Sequence, residues 1–221
     1  MFQTFDSAGD PAVGKPRVAL LRQWLAANDL DGFIVPRADE HQGEYVADRS
    51  ARLKWLTGFS GSAGIAIVLG GRAVMFVDGR YTLQVRQEVD LDIFSIESLV
   101  DNPPPTWIKD NLGKGVRLGF DPWLQTIGDV KALKASAEKS GATLVPLEKN
   151  PIDAIWKDQP DPPRAPVELH PIAFAGELAK DKLARLASAI GKDGATHTVL
   201  TDPSSIAWAF DIRGGDVPHT P

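Results

Sequence analysis

The stretch Thr57-Gly58-Phe59-Ser60-Gly61-Ser62-Ala63-Gly64-Ile65-Ala66-Ile67-Val68-Leu69-Gly70-Gly71-Arg72-Ala73-Val74-Met75-Phe76-Val77-Asp78-Gly79-Arg80-Tyr81 decides the fold. Ile65 to Leu69 and Ala73 to Val77 are short apolar runs on either side of Gly70-Gly71, the pattern of two antiparallel strands joined by a two-residue turn. Neither run has a polar face. A strand apolar on both faces must be covered on both, so the hairpin is expected near the centre of a helix-covered α/β layer.

Gly58, Gly61 and Gly64 admit two readings. Glycines let an anion approach backbone N–H groups, as in a phosphate cradle. Such a loop delivers the chain into a helix and often carries a Lys, whereas this one runs into β-branched strand residues and has none. A tight turn that uses glycine for positive φ is the preferred reading.

The chain has 221 residues, enough for one large domain or two small ones, and a formal charge of -5. It carries no basic footprint, so neither nucleic acid nor an acidic membrane surface is an expected partner. The absence of cysteine excludes a disulfide framework, a thiolate zinc site and a cysteine nucleophile. The start Met1-Phe2-Gln3-Thr4-Phe5-Asp6 does not read as a signal peptide, and no apolar run is long enough to span a bilayer, so the expected location is cytoplasmic.

In chain order, residues 2–14 read as an extended or poorly ordered lead-in. Val18, Leu21, Trp24 and Leu25 recur at helical spacing within a helix over 15–28, and Phe33-Ile34-Val35 follows as a strand ended by Pro36. Asp39, Glu40, His41 and Glu44 sit in a polar loop over 37–45. Metal ligation is conceivable there, but adjacent Glu40 and His41 cannot face one way on regular structure, and solvated or helix-capping groups are the preferred reading.

Further helices are expected over 50–56, 80–88 and 126–140. The last has Ile127, Val130, Leu133 and Ala137 on one face and Gly141 as its stop. Another is expected to start at the last proline of Asn102-Pro103-Pro104-Pro105-Thr106 and to carry Trp107, Ile108 and Leu112. Strands are expected over 91–96, 116–120 and 143–147, with a short helix over 151–156.

These elements assign residues 1–158 to a first domain, 159–166 to a stiff proline-rich linker, and 167–221 to an incomplete second α/β domain. In the second domain, Leu178, Leu183, Leu186 and Ile190 mark a helix, 196–201 reads as a strand and Pro203 starts a helix capped by Asp202. So few elements cannot enclose a core, and apolar surface is expected to show from about Leu178 onward.

Several of these segments resemble the cytosolic-type Xaa-Pro aminopeptidases, also called aminopeptidase P, of the creatinase and prolidase group. Gly58 to Gly64 with Asp78-Gly79-Arg80-Tyr81, Val35 to Tyr45, Asn150 to Trp156, and Ile206 to Val217 resemble segments of that family in its own order. The resemblance implies a creatinase N-terminal-like mixed β-sheet covered by helices, followed by the start of a second α/β domain. It also implies a third, pita-bread catalytic domain with two metal ions, usually manganese, held by two Asp, one His and two Glu. None of those ligands is assigned in this chain, which is expected to stop within the second domain and to be inactive alone. The implied reaction is removal of an N-terminal residue from a peptide with proline at its second position.

In the resembling group the first domain makes oligomer contacts, so a homodimer or other homo-oligomer is implied, and it can lie over a catalytic cleft. Phe59, Ser60, Arg80 and Tyr81 are the candidates for such a cleft or interface, Arg80 able to hold a carboxylate or peptide carbonyl. The alternative is that Arg80 pairs within its own domain and that Phe59 and Tyr81 are core. Arg213 is a candidate contact to the catalytic domain. A rival reading makes the chain a stand-alone interaction module that binds a peptide or protein partner. A serine mechanism at Ser62 is disfavoured, because Gly61-Ser62-Ala63-Gly64 departs from Gly-x-Ser-x-Gly and exits into a strand.

Overall fold

The computed structural model describes residues 9–220; the lead-in before Gly9 lies outside the described residues. The chain divides into two compact units, Met1–Ala38 with Ala51–Pro160, and Asp39–Ser50 with Asp161–Pro221.

In the first unit the chain runs through α1 (Gly14–Ala27), β1 (Gly32–Pro36), α2 (Arg52–Thr57), β2 (Gly64–Leu69) and β3 (Ala73–Val77). It continues through α3 (Gln84–Glu88), β4 (Phe94–Ser98), α4 (Pro104–Asn111), β5 (Arg117–Phe120), α5 (Ile127–Ser140), β6 (Thr143–Pro146) and α6 (Pro151–Ile155). The six strands form one mixed sheet in the order β4-β3-β2-β1-β5-β6. β2 runs antiparallel to both β1 and β3, and the other three pairs are parallel.

The hairpin is interior, as its apolar faces require. Period-two alternation sends Phe33, Val35, Ala66, Val68, Met75 and Val77 to one core, with Val18, Leu21 and Leu25 of α1 and Leu53 and Leu56 of α2. Ile34, Ile67, Val74 and Phe76 go to the opposite core, under Trp107 and Ile108 of α4 and Leu133 and Ala137 of α5. Each fully buried Val, Leu, Ile, Phe or Met side chain among them contributes about 1.5–3 kcal/mol, so the two faces stabilise the sheet jointly.

Local chemistry fixes the element ends. Thr126 and Asp129 form a capping box at the start of α5, and Gly141 closes it at φ 81°, the left-handed conformation that glycine adopts without a Cβ clash. Pro104 and Pro105 occupy the first two positions of α4, one residue earlier than the sequence suggests, where missing N–H groups cost nothing. Pro36 stays in register opposite Ile65, because the next ladder bond comes from the Arg37 N–H to the Gly64 carbonyl at 2.9 Å.

Other expectations of the first unit shift as well. β4 starts at Phe94 rather than Leu91, because the Ile93 and Phe94 N–H groups donate to the Asp90 carbonyl and hold the preceding residues in a turn. Ile127 is 77% exposed: as the first residue of α5 it lies beyond the face that packs. Of the three glycines of the central turn only Gly58 has positive φ, at 85°. Gly61 and Gly64 are required for space instead: a Cβ on Gly61 would lie 2.2 Å from the Phe59 ring, and one on Gly64 2.7 Å from Met75 Cε.

The second unit holds β7 (Glu168–Leu169), α7 (Ile172–Ala175), α8 (Ala179–Lys192), α9 (Pro203–Phe210) and β8 (Ile212–Arg213). β7 and β8 form a short antiparallel ladder. Asp202 caps α9 by accepting from the Ser205 N–H at 2.7 Å, as expected. Lys182, 2% exposed, ties α8 to the end of α9 through the Asp211 carboxylate and the Trp208 carbonyl. Residues 196–201 are not a strand, since no ladder partner lies beside them among the described residues and Val199 is 84% exposed. Leu178, Leu200, Trp208 and Phe210 are also exposed, within the range where apolar surface is expected, and so are Leu169 and Phe174 ahead of it.

Candidate functional site

The site candidates of the first unit are organised by the end of α2. The left-handed Gly58 stops that helix, and the Thr57 hydroxyl donates to the Leu53 carbonyl while accepting the Phe59 N–H at 3.1 Å. The chain is thereby turned so that Phe59 enters the core, where it is 1% exposed. Its ring meets Tyr81 edge to face, with centroids 5.5 Å apart at 86°, a favourable quadrupole geometry. Within this chain Phe59 is therefore a core residue that supports Tyr81.

Ser60 is held by a carboxylate. Its N–H donates to Glu88 Oε2 and its hydroxyl to Glu88 Oε1, both at 2.8 Å, and Gln84 Nε2 donates to Ser60 Oγ at 3.0 Å. Glu88 is itself buried, and these charge-assisted bonds offset the cost of removing it from water.

Two residues on, the Ser62 hydroxyl lies 2.7 Å from the Tyr81 hydroxyl. That hydrogen bond holds the Tyr81 phenol below its ordinary pKa. Tyr81 closes a 3₁₀ turn, Gly79–Tyr81, capped by Asp78, whose carboxylate accepts the Arg80 N–H at 2.9 Å. The same carboxylate accepts Arg80 Nε at 3.1 Å and Nη2 at 2.6 Å. The Arg80 hydrogen bond holds the Asp78 carboxyl below the usual range. The guanidinium lies 5.1 Å from the Tyr81 ring centroid, close enough for a cation–π contact. Its side chain is 65% exposed.

The adjacent pairs Phe59-Ser60 and Arg80-Tyr81, distant from each other in sequence, thus form one cluster. Arg213 is placed separately, in β8 of the second unit, donating to the Ile212 carbonyl at 2.7 Å. Sequence reasoning does not single out Glu88 and Gln84. The available signal is a carboxylate at position 88 beside Val85 and Val89, two apolar residues that mark the buried side of a short helix.

The polar loop over 39–45 resolves as local capping. Buried Asp39 accepts the His41 and Gly43 N–H groups, each at 3.0 Å, which makes an Asx-type turn. The loop borders a cavity of about 740 Å³ within the second unit, together with Asp216 and His219. Among the described residues no three His, Asp or Glu side chains are grouped so as to hold a metal ion, so no step through a metal is derived from this chain. No helix among them is long and apolar enough to cross a membrane.

A mixed six-strand sheet layered by helices, accompanied by a second compact unit, is the architecture of an N-terminal domain of the creatinase type. The family model described as creatinase/prolidase N-terminal domain matches residues 17–155, and a second model of the same description matches 158–221. The chain belongs to the creatinase/prolidase N-terminal domain family.

Among curated relatives, the probable Xaa-Pro aminopeptidase P of Neosartorya fischeri is 36% identical over 208 residues, 93% of this chain and 32% of the relative. That of Ajellomyces dermatitidis is 35% identical over 214 residues, 96% of this chain and 35% of the relative. Among solved structures, the X-prolyl aminopeptidase of Caenorhabditis elegans, described as a cytosolic enzyme with a di-nuclear active site, superposes with a TM-score of 0.86 at 26% identity. That match covers 94% of this chain and 36% of the worm enzyme. The chain spans about a third of the length of the curated relatives it matches.

Proposed function

We propose that this chain is the non-catalytic N-terminal region of a metal-dependent Xaa-Pro aminopeptidase, and that it contributes oligomer contacts and shapes the cleft that admits the peptide. The observation that carries the reading is continuous similarity to Xaa-Pro aminopeptidases across nearly all of this chain, against about a third of theirs. On this reading the metal pair, manganese by expectation, belongs to a catalytic domain outside these residues. The enzyme works in the cytoplasm as a homo-oligomer.

Arg80 is the residue of this chain assigned to substrate. Asp78 and the Tyr81 ring preset an exposed guanidinium, so little rotamer entropy remains to be lost when it meets a carboxylate or peptide carbonyl. Tyr81 and Ser60 support it, and Phe59 acts through Tyr81. Arg213 is assigned a contact with the catalytic domain.

The test is hydrolysis of an Xaa-Pro-Xaa peptide with added Mn²⁺, comparing the 221-residue chain with a longer product of the same gene. Turnover by the longer product alone supports the proposal. Turnover by this chain, free of contaminating peptidase, overturns it.

A further inference from the structure

The buried Glu88 carboxylate is not accounted for by the proposed contacts with substrate. It lies at one end of a continuous series of contacts that finishes at the exposed Arg80. Glu88 holds Ser60 by two bonds, to the backbone N–H and to the hydroxyl. Ser60 and Ser62 share one short turn, in which Gly61 leaves no room for a Cβ between the Phe59 and Tyr81 rings. Ser62 meets the Tyr81 hydroxyl, and the Tyr81 ring lies beneath the Arg80 guanidinium. Gln84, one turn before Glu88 on α3, donates to both Ser60 Oγ and Glu88, so it braces the clamp from the helix side.

We propose that Glu88 is a positioning residue: by clamping Ser60 it fixes the glycine turn, and so sets where Ser62, Tyr81 and finally Arg80 stand. Its relevance to peptide handling rests on the function proposed above, but the contact series is a property of this chain alone. A rigid turn suits this task because a side chain left to rotate loses affinity each time it must be ordered. A carboxylate suits it because both of its oxygens accept, so a single buried group restrains the backbone and the side chain of Ser60 together.

Tyr81 reports on the series directly. The chain has two tyrosines, Tyr45 and Tyr81, so in a Tyr45→Phe background ultraviolet absorbance follows Tyr81 ionisation alone. Arg80 and Asp78 are the charged neighbours and are unchanged in every variant. Ser62→Ala is expected to raise the ionisation midpoint toward the ordinary tyrosine value of about 10. Glu88→Ala and Ser60→Ala are expected to raise it in the same direction, and Glu88→Gln, which keeps the shape and an acceptor, to hold it nearer the parent. Circular dichroism confirms that each variant is folded, and if Glu88→Ala is not, Ser60→Ala carries the decision.

A merely structural Glu88 would lower the melting temperature and leave the Tyr81 midpoint of the folded protein in place. The proposal is overturned if Ser62→Ala moves the midpoint and the folded Glu88 and Ser60 variants do not, or if Ser62→Ala itself has no effect. A shifted midpoint without any change in peptide hydrolysis by the longer product would count against the proposed function and leave the positioning role standing.

Discussion

The Arg52 guanidinium meets the Asp153 carboxylate across 101 residues of chain, with Nε at 2.7 Å and Nη2 at 2.9 Å. Gln159 Nε2 donates to the same carboxylate at 2.8 Å, so the pair fastens α2, α6 and the chain leaving α6. Arg52 is 6% exposed. Removing Asp153 would leave a buried cation without its main counter-charge, and Asp153→Ala is expected to cost about 3–5 kcal/mol in urea denaturation. Loss of less than about 1 kcal/mol, the range of exposed ion pairs, would show that the pair is solvated in practice.

The glycines separate by mechanism. Gly58 has φ 85°, and a Cβ there would lie 2.3 Å from the Asp10 carbonyl oxygen and 2.6 Å from that of Glu88, both backbone atoms that cannot step aside. Gly58→Ala is expected to cost about 3 kcal/mol or more from strain and overpacking together. Gly71, at the hairpin turn, has no neighbour in contact range of its Cβ position and no positive φ. Gly71→Ala is expected to stay within about 0.5 kcal/mol of the parent. Thermal melts of the two variants check the contrast.

The hydrogen bond from Arg80 lowers the Asp78 pKa from its ordinary 3.8 in the folded state. A depressed carboxylate favours the folded state above the unfolded pKa, and the contribution is lost as pH falls from there through the folded pKa. Arg80 is mostly exposed, so the contribution is small and screened by salt. Carboxyl-carbon NMR titration is expected to place Asp78 below the usual range in the parent and to return it upward in Arg80→Ala. An unchanged Asp78 titration in that variant would show the pair is not formed in solution.

The central hairpin is legible from its residues because apolar runs on two faces permit only an interior position. Its partners are less so: that β1 sits between β2 and β5 depends on which edges meet, and periodicity carries no record of that. Alternation misleads at Leu91, where the Asp90 carbonyl captures the following N–H groups before a strand can start. It misleads again at 196–201, where a strand-like composition has no neighbour to pair with among the described residues.

At the candidate site, Arg80 and Tyr81 come to notice through the resemblance of Asp78-Gly79-Arg80-Tyr81 to a segment of the creatinase and prolidase group. The buried role of Phe59 and the clamp of Glu88 on Ser60 depend on contacts between residues distant in sequence, 28 apart for the clamp, which no local pattern encodes.

The most direct test is the effect of Arg80→Ala on Xaa-Pro-Xaa hydrolysis by any longer product of the same gene, with KM and kcat measured separately. A hydrogen bond to a charged group contributes roughly 1.5–3 kcal/mol, and each step of about 1.4 kcal/mol is tenfold. In the substrate-holding role proposed for Arg80, loss of its side chain is expected to raise KM about tenfold or more with kcat little changed, because that role includes no bond chemistry. An unchanged KM in a folded, metal-loaded Arg80→Ala enzyme would contradict it and leave Arg80 a surface residue paired within its own unit.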